Sequence, residues 1–337
     1  MTVFVLGAGA SIHAGYPLAS KLGEDLHAWA CLNRQTAVVQ LSGFLDSLRE
    51  LYGNLADFER VLTELIECPV GSRAESLTQM QRGHTLGAIE VLVPEFFWSL
   101  SQGNTSPSLY DDLARNHMRD GDVVLTFNYD LACERALKKA GLWEIGDGYG
   151  FDVASGQLSR SKVKMLKLHG SINWLDLIFG GIAGGSSASS VYGPRPCVFG
   201  SRYFSYLGYP PEFRDPLARG ITKTGGEPSL ILPALHKIFF NETFAGRELQ
   251  PFWDALWGMA GEALHSTDKI VIIGYSMPQA DERARELLLN ESKPDAEILV
   301  FSGGSTQDIC EGFQVKGFRR VSWSVSCKFE DYLARCA

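Results

Sequence analysis

The chain lacks a C-x-x-C pair. Its seven cysteines, Cys31, Cys68, Cys133, Cys197, Cys310, Cys327 and Cys336, are scattered, so neither a zinc knuckle nor a disulfide framework is written in it. It also lacks an excess of positive charge: the formal net charge is -8. Sequence-independent binding to nucleic acid rests on Lys and Arg releasing counterions from phosphates, so that class of partner is not expected. No apolar run is long enough to cross a bilayer. No basic leader precedes the first apolar residues, because Thr2-Val3-Phe4-Val5-Leu6 already reads as a strand; a signal peptide is therefore not expected. No internal repeat is visible. These absences lead to the expectation of a cytoplasmic protein with reduced thiols, no bound metal and no membrane partner.

What is present is a core-forming composition, 45% hydrophobic, with 35 glycines. Short runs rich in Val, Ile and Leu stand at 2–7, 122–127, 163–168, 229–233, 269–274, 297–302 and 319–324. Several are apolar without interruption, which suits parallel strands covered on both faces. Helical patterns alternate with them, and the whole predicts an α/β fold, a Rossmann-like doubly wound, mostly parallel sheet. Between the first two strands, helical patterns at about 21–31, 36–51, 55–68, 74–100 and 107–118 are too much for one crossover, so 20–120 is expected to form a helical insertion or subdomain within a single domain spanning 1–337. The spacing of Leu55, Phe58, Leu62, Leu65 and Ile66 is that of an amphipathic helix. Residues 178–228, with Gly180-Gly181 and Gly184-Gly185-Ser186-Ser187, predict a flexible, irregular loop beside a cleft.

Five segments end apolar runs in small or polar residues. Gly7-Ala8-Gly9-Ala10-Ser11 follows the first strand; glycines there let a backbone approach a pyrophosphate, whose oxygens the following N–H groups could bind, although a tight strand-to-helix turn needs the same residues. The third glycine of a dehydrogenase fingerprint is missing, since position 12 is Ile, and this weakens an ordinary oxidoreductase reading. Thr126-Phe127-Asn128-Tyr129-Asp130 closes the second strand; Asn128 and Asp130 offer polar groups at the edge where ligands bind in open α/β sheets, while Asp130 could equally cap the next helix. Lys167-Leu168-His169-Gly170-Ser171 closes the third, and there His169 is either a proton acceptor or a hydrogen-bonded structural residue. The last two, Ile272-Ile273-Gly274-Tyr275-Ser276-Met277-Pro278-Gln279-Ala280-Asp281 and Ile298-Leu299-Val300-Phe301-Ser302-Gly303-Gly304, end where a ribose or phosphate could lie against backbone, or simply where the chain turns.

In this order the motifs GAGAS, T-x-N-x-D, KLHGS and IIGYS resemble the sirtuin superfamily, and more closely its prokaryotic sirtuin-like NAD+ hydrolases of anti-phage defence. The resemblance implies NAD+ as substrate, lying across the carboxyl edge of the strands. It implies Gly7, Ala8, Gly9 and Ser11 at the pyrophosphate and its ribose, Thr126 beside them, and Gly274, Ser276 and Ser302 at the adenosine end. Asn128 would hold the nicotinamide ribose or a water, Asp130 the carboxamide, and His169 would be the base. The Gly-Ile-Pro-Asp-Phe-Arg motif of protein-deacylating sirtuins is replaced by Gly15-Tyr16-Pro17-Leu18-Ala19-Ser20, Phe127 stands in place of their Gln, and their paired zinc-binding cysteines are absent. The implied activity is cleavage of NAD+ to nicotinamide and ADP-ribose, with a non-catalytic NAD+ or ADP-ribose sensor, or an ADP-ribosyltransferase or deacylase, as alternatives. A homo-oligomer or a separate sensor protein is the expected control, because unrestrained NAD+ hydrolysis would kill the host.

Overall fold

The computed structural model describes residues 1–33, 39–103, 108–144, 148–149, 161–177, 197–199, 202–206, 226–230, 244–279, 281–324 and 326–335. The strands are β1 (Val3–Leu6), β2 (Val123–Thr126), β3 (Lys164–Lys167), β4 (Gly170–Leu177), β5 (Cys197–Phe199), β6 (Arg202–Tyr206), β7 (Gly226–Leu230), β8 (Lys269–Ile273), β9 (Glu297–Phe301) and β10 (Val321–Trp323).

Six of them form one sheet in the order β3-β2-β1-β8-β9-β10, with every neighbouring pair parallel. The apolar runs explain this. Val3 to Leu6 of β1 and Ile270 to Ile273 of β8 are wholly buried, as strands covered by helices on both faces must be. The chain starts at the centre, steps outward through β2 and β3, then returns beside β1 and steps outward the other way. That reversal between β1 and β8 opens a crevice beyond the carboxyl ends of the strands, the place where open α/β sheets bind ligands.

Between β1 and β2 lie the helices Ala19–Leu32, Val39–Tyr52, Phe58–Glu67 and Gln79–Gly103, then a short turn of helix, Leu109–Asp112, that runs into a π-helical turn, Leu113–His117. Phe58–Glu67 shows why the spacing works: Phe58, Val61, Leu62 and Leu65 are buried, and Asp57 caps its start by accepting from the Arg60 amide at 3.3 Å. Leu55 is buried with them and Ile66 packs against them from a half-buried position, in a cluster continuous with the core of the sheet.

One expectation fails. The described part of the run at 229–233 does not join the parallel sheet: Gly226–Leu230 is β7, paired antiparallel with β4 in a second sheet of order β5-β6-β4-β7. An apolar run records that a strand is covered, but not which sheet covers it. The turn into this second sheet is made at Gly170, whose φ of 84° suits glycine above other residues. Apart from β5, β6 and the start of β7, the loop expected over 178–228 lies outside the described residues.

Candidate active site

The first wall of the crevice is the turn after β1. Residues Ala8–Ala14 form a 3-10 helix that ends on Gly15 at φ 83°. This turn is pressed onto the one after β8: the Gly7 amide donates to Ile273 O at 3.1 Å and the Gly9 amide to Gly274 O at 2.9 Å. A Cβ on Gly7 would stand 2.5 Å from Tyr275 Cα, and one on Gly274 would stand 2.0 Å from the Ala10 nitrogen. These glycines are therefore required by backbone packing between two loops. The Ala10 amide donates to Gly7 O at 2.9 Å, so the N–H groups of Gly7, Gly9 and Ala10 are all committed to protein carbonyls. Ala8, Gly9 and Ser11 line the crevice, while Gly7 sits behind them.

The second wall is the end of β2. Asn128 donates from Nδ2 to Gly7 O at 2.9 Å and to Ser11 Oγ at 3.0 Å, and Ser11 Oγ in turn lies 2.9 Å from the Tyr110 hydroxyl. With both amide hydrogens engaged, what Asn128 offers a ligand is its Oδ1 acceptor. Thr126 is the strand end beneath it, accepting the Asn128 amide at Oγ1 at 3.1 Å; it does not line the crevice. Asp130 accepts the Ala132 amide at Oδ1 at 2.9 Å, a side-chain turn that starts the helix Ala132–Lys139. Standing one residue before the N-cap position, Leu131, it satisfies the first helical amide and also lines the crevice. Under this loop Lys167, fully buried, donates from Nζ to Glu134 Oε1 at 2.7 Å and to the carbonyl oxygens of Asp130 and Tyr129. Burial pushes the Glu134 carboxyl above its usual range, with Lys167 opposing that shift.

The third wall is His169, just past β3. Its ring sits 4.9 Å from that of Phe127 and 6.4 Å from that of Trp257. Its Nε2 lies 3.4 Å from Asp281 Oδ2, the same oxygen that accepts the Tyr275 hydroxyl at 2.9 Å. Tyr275 stacks on Phe127 with centroids 4.2 Å apart.

Together these walls line a cleft of about 1130 Å³, somewhat larger than the roughly 300–1,000 Å³ usual for small-molecule and cofactor sites. Asn128, Asp130 and His169 all line it, as do Gly274, Ser276 and Ser302. Among the described residues, the ionisable side chains along it are mainly acidic, Asp57, Glu59, Asp130, Asp281 and Glu330 beside Lys328, with the imidazoles of His13 and His169. Burial pulls the His13 ring below the usual histidine range, with Asp130 opposing. Asp281 was not singled out from the sequence. It closes the fourth motif, where an aspartate after Pro278 looks like nothing more than the start of a helix. A different group, His27, Cys31 and Asp46, brings ligand atoms within 4.8 Å of one another. There Arg49 Nη1 donates to His27 Nδ1 at 3.1 Å, which leaves the ring proton on Nε2, toward Asp46 at 3.0 Å. That tautomer makes the cluster a hydrogen-bonded network without an imidazole lone pair for a cation.

The fold and cleft define an α/β protein with a ligand crevice at the switch point of its parallel sheet. No protein-family model matches the chain, and no curated protein matches it. Among solved structures, a Sir2 homologue–NAD complex is similar at 13% identity, over 99% of this chain and 88% of that one, with a TM-score of 0.41. A structure described as the basis for the mechanism and regulation of Sir2 enzymes is similar at 14% identity, over 99% of this chain and 90% of that one, with a TM-score of 0.42. A mutant Sir2 homologue–ADP-ribose complex is similar at 12% identity over 99% and 91%, with a TM-score of 0.41. At these identities and scores the likeness is one of overall chain path, and it assigns no residue a role.

Proposed function

We propose that the protein is an NAD+ glycohydrolase that cleaves the nicotinamide–ribose bond to release nicotinamide and ADP-ribose. The observation that carries this reading is that Asn128, Asp130 and His169, from the ends of two neighbouring strands, line one cleft together with the glycine turn after β1, to which Asn128 is hydrogen-bonded. The cleft is large enough for a dinucleotide, and its carboxylates suit the cationic nicotinamide ring better than a neutral one. The carboxylates do not favour a pyrophosphate, and neither do the committed amides of Gly7, Gly9 and Ala10. The phosphates would therefore rest against Ala8 and Ser11, with Gly274, Ser276 and Ser302 toward adenosine.

Nicotinamide is a cationic leaving group that departs neutral: the C–N electron pair goes to its ring nitrogen, so no acid is needed. What requires help is the oxocarbenium-like ribosyl centre and the water that meets it. In this reading Asp130 orients the carboxamide through the oxygen not used by Ala132, and Asn128 Oδ1 accepts a hydrogen from ribose hydroxyl or water. His169 takes the proton released as the water oxygen bonds to the ribose carbon. Because such an activity must be held off in a resting cell, we place the protein in abortive anti-phage defence, released by oligomerisation or by a partner that senses infection.

The test is to incubate purified protein with NAD+, alone and with candidate triggers, and to follow nicotinamide by chromatography. His169→Ala should abolish release, and because the ring is buried against Phe127 and Asp281 the fold of the variant is checked by circular dichroism. Full turnover by a folded His169→Ala protein would remove the proposed base. Binding of NAD+ without nicotinamide release under every trigger would leave a sensor.

A further inference from the structure

Asp281 occupies the N-cap position of the helix Glu282–Asn290 but makes no side-chain capping hydrogen bond. An aspartate at this position ordinarily accepts an amide of the first helical turn. Here the side chain is instead 2% exposed and directed at the Tyr275 hydroxyl and His169 Nε2. The buried carboxylate thus accepts a hydroxyl and faces an imidazole, whose protonated form its charge would stabilise.

We propose that Asp281 is the positioning residue of the histidine: it fixes the ring orientation of His169 and stabilises the imidazolium formed when the ring accepts a proton. This rests on the hydrolase reading for its purpose, though not for its geometry. The carboxylate contacts the ring and not the reacting atoms, so it acts through His169. Tyr275, by donating to the same Oδ2, draws charge from that oxygen and tempers its hold on the ring. Among the described residues, aromatic rings and further charged groups complete the surroundings. Phe127 and Trp257 pack against the ring and against each other, with Arg283 Cζ 4.6 Å from the centroid of the Trp257 ring. Glu59 and Arg285 act on the Tyr275 hydroxyl, and Asp130 lines the same cleft.

The experiment is histidine titration by NMR on the full chain labelled at its histidine ring nitrogens, with His169→Gln used to assign the signal. Asp281→Asn keeps the shape and the acceptor for Tyr275 but removes the charge. The His169 titration should then move down by about one pH unit or more, the scale of a neighbouring opposite charge. Tyr275→Phe should move it the other way, because the carboxylate regains charge. In steady state, Asp281→Asn should lose at least about tenfold in kcat with KM little changed, a share of the roughly 10²–10⁴-fold that a positioned proton acceptor is worth. The acid limb of its pH–rate profile should move with the titration. A His169 titration unmoved by both substitutions overturns the proposal. Should the wild-type protein release no nicotinamide under any trigger, the hydrolase reading fails, while the titration still decides what Asp281 does to the ring.

Discussion

Asn128 Nδ2 donates to the backbone carbonyl oxygen of Gly7 at 2.9 Å, so the residue assigned to the ribose also staples the end of β2 to the turn after β1. Substitution here acts on both. Asn128→Ala leaves Gly7 O without its side-chain donor in a buried place, and should cost about 1–3 kcal/mol of stability together with nicotinamide release. Asn128→Asp puts an acceptor against that acceptor and should cost more than Ala, even though it is the smaller change in shape. Urea denaturation of the three proteins checks this order. An aspartate variant as stable as wild type would show that the staple is not formed.

The contact between the two turns can be tested from the other side. Gly274 has φ 63° and no room for a Cβ, whereas Gly303 has φ 57° with open space around it. Gly303→Ala therefore meets backbone strain alone, on the order of 1–2 kcal/mol. Gly274→Ala adds a collision with Ala10, must part the β1 and β8 turns, and should lose more stability and bind NAD+ more weakly. Denaturation and calorimetric titration of both variants separate strain from collision; equal losses in the two would count against a packed turn.

Much of the central sheet is legible because an unbroken apolar run such as Val3 to Leu6 leaves few alternatives to a covered parallel strand. Asn128, Asp130 and His169 are legible for the same reason: each follows such a run, and the carboxyl ends of parallel strands share an edge. Other features depend on partners far away in the chain. Nothing near Gly9 reveals that its amide will meet Gly274 O, so the packing of one loop on the other by these glycines is hidden in the sequence. Nothing near Asp281 reveals that its carboxylate will leave the helix start for His169. The strand at 170–177 escapes notice because Gly-Ser-Ile-Asn-Trp-Leu-Asp-Leu has no clean period of two, and its pairing with β7 crosses a long intervening segment.

Burial lowers the proton affinity of His13, with the Asp130 charge opposing, and this carries a pH dependence of definite sign. Above the usual histidine pKa of 6.5 the ring is neutral in folded and unfolded chains alike and contributes nothing. As pH falls through that value the unfolded chain takes up the proton first, so stability is lost toward the lower pKa of the folded state. The denaturation midpoint should therefore decline on the acid side, and His13→Gln should decline less steeply than wild type. Midpoints measured from about pH 8 down to about pH 5 test the sign. A wild-type slope no steeper than that of the variant would remove the effect.

Lys167 and Glu134, 0% and 1% exposed and 2.7 Å apart, are the charged floor of the Asn128–Asp130 loop, and the pair serves two roles that mutations can separate. Lys167→Met leaves a buried carboxylate without its cation and should cost about 3–5 kcal/mol. The double variant Lys167→Met with Glu134→Leu removes both charges and should recover much of that loss, since an apolar pair can replace a buried ion pair. It cannot restore the Nζ bonds to the carbonyl oxygens of Asp130 and Tyr129, so nicotinamide release should stay low in a protein that is stable again. The pH dependence of the single variant follows from Glu134. Its folded pKa is already raised by burial, and losing Lys167 raises it further. A raised carboxyl contributes its stability below the usual glutamate range and loses it as pH rises through the folded value. The deficit of Lys167→Met relative to wild type should consequently widen from about pH 5 to about pH 8 in denaturant titrations. A deficit that narrows over that interval, or a double variant with full activity, would show that the loop above the site does not depend on this pair.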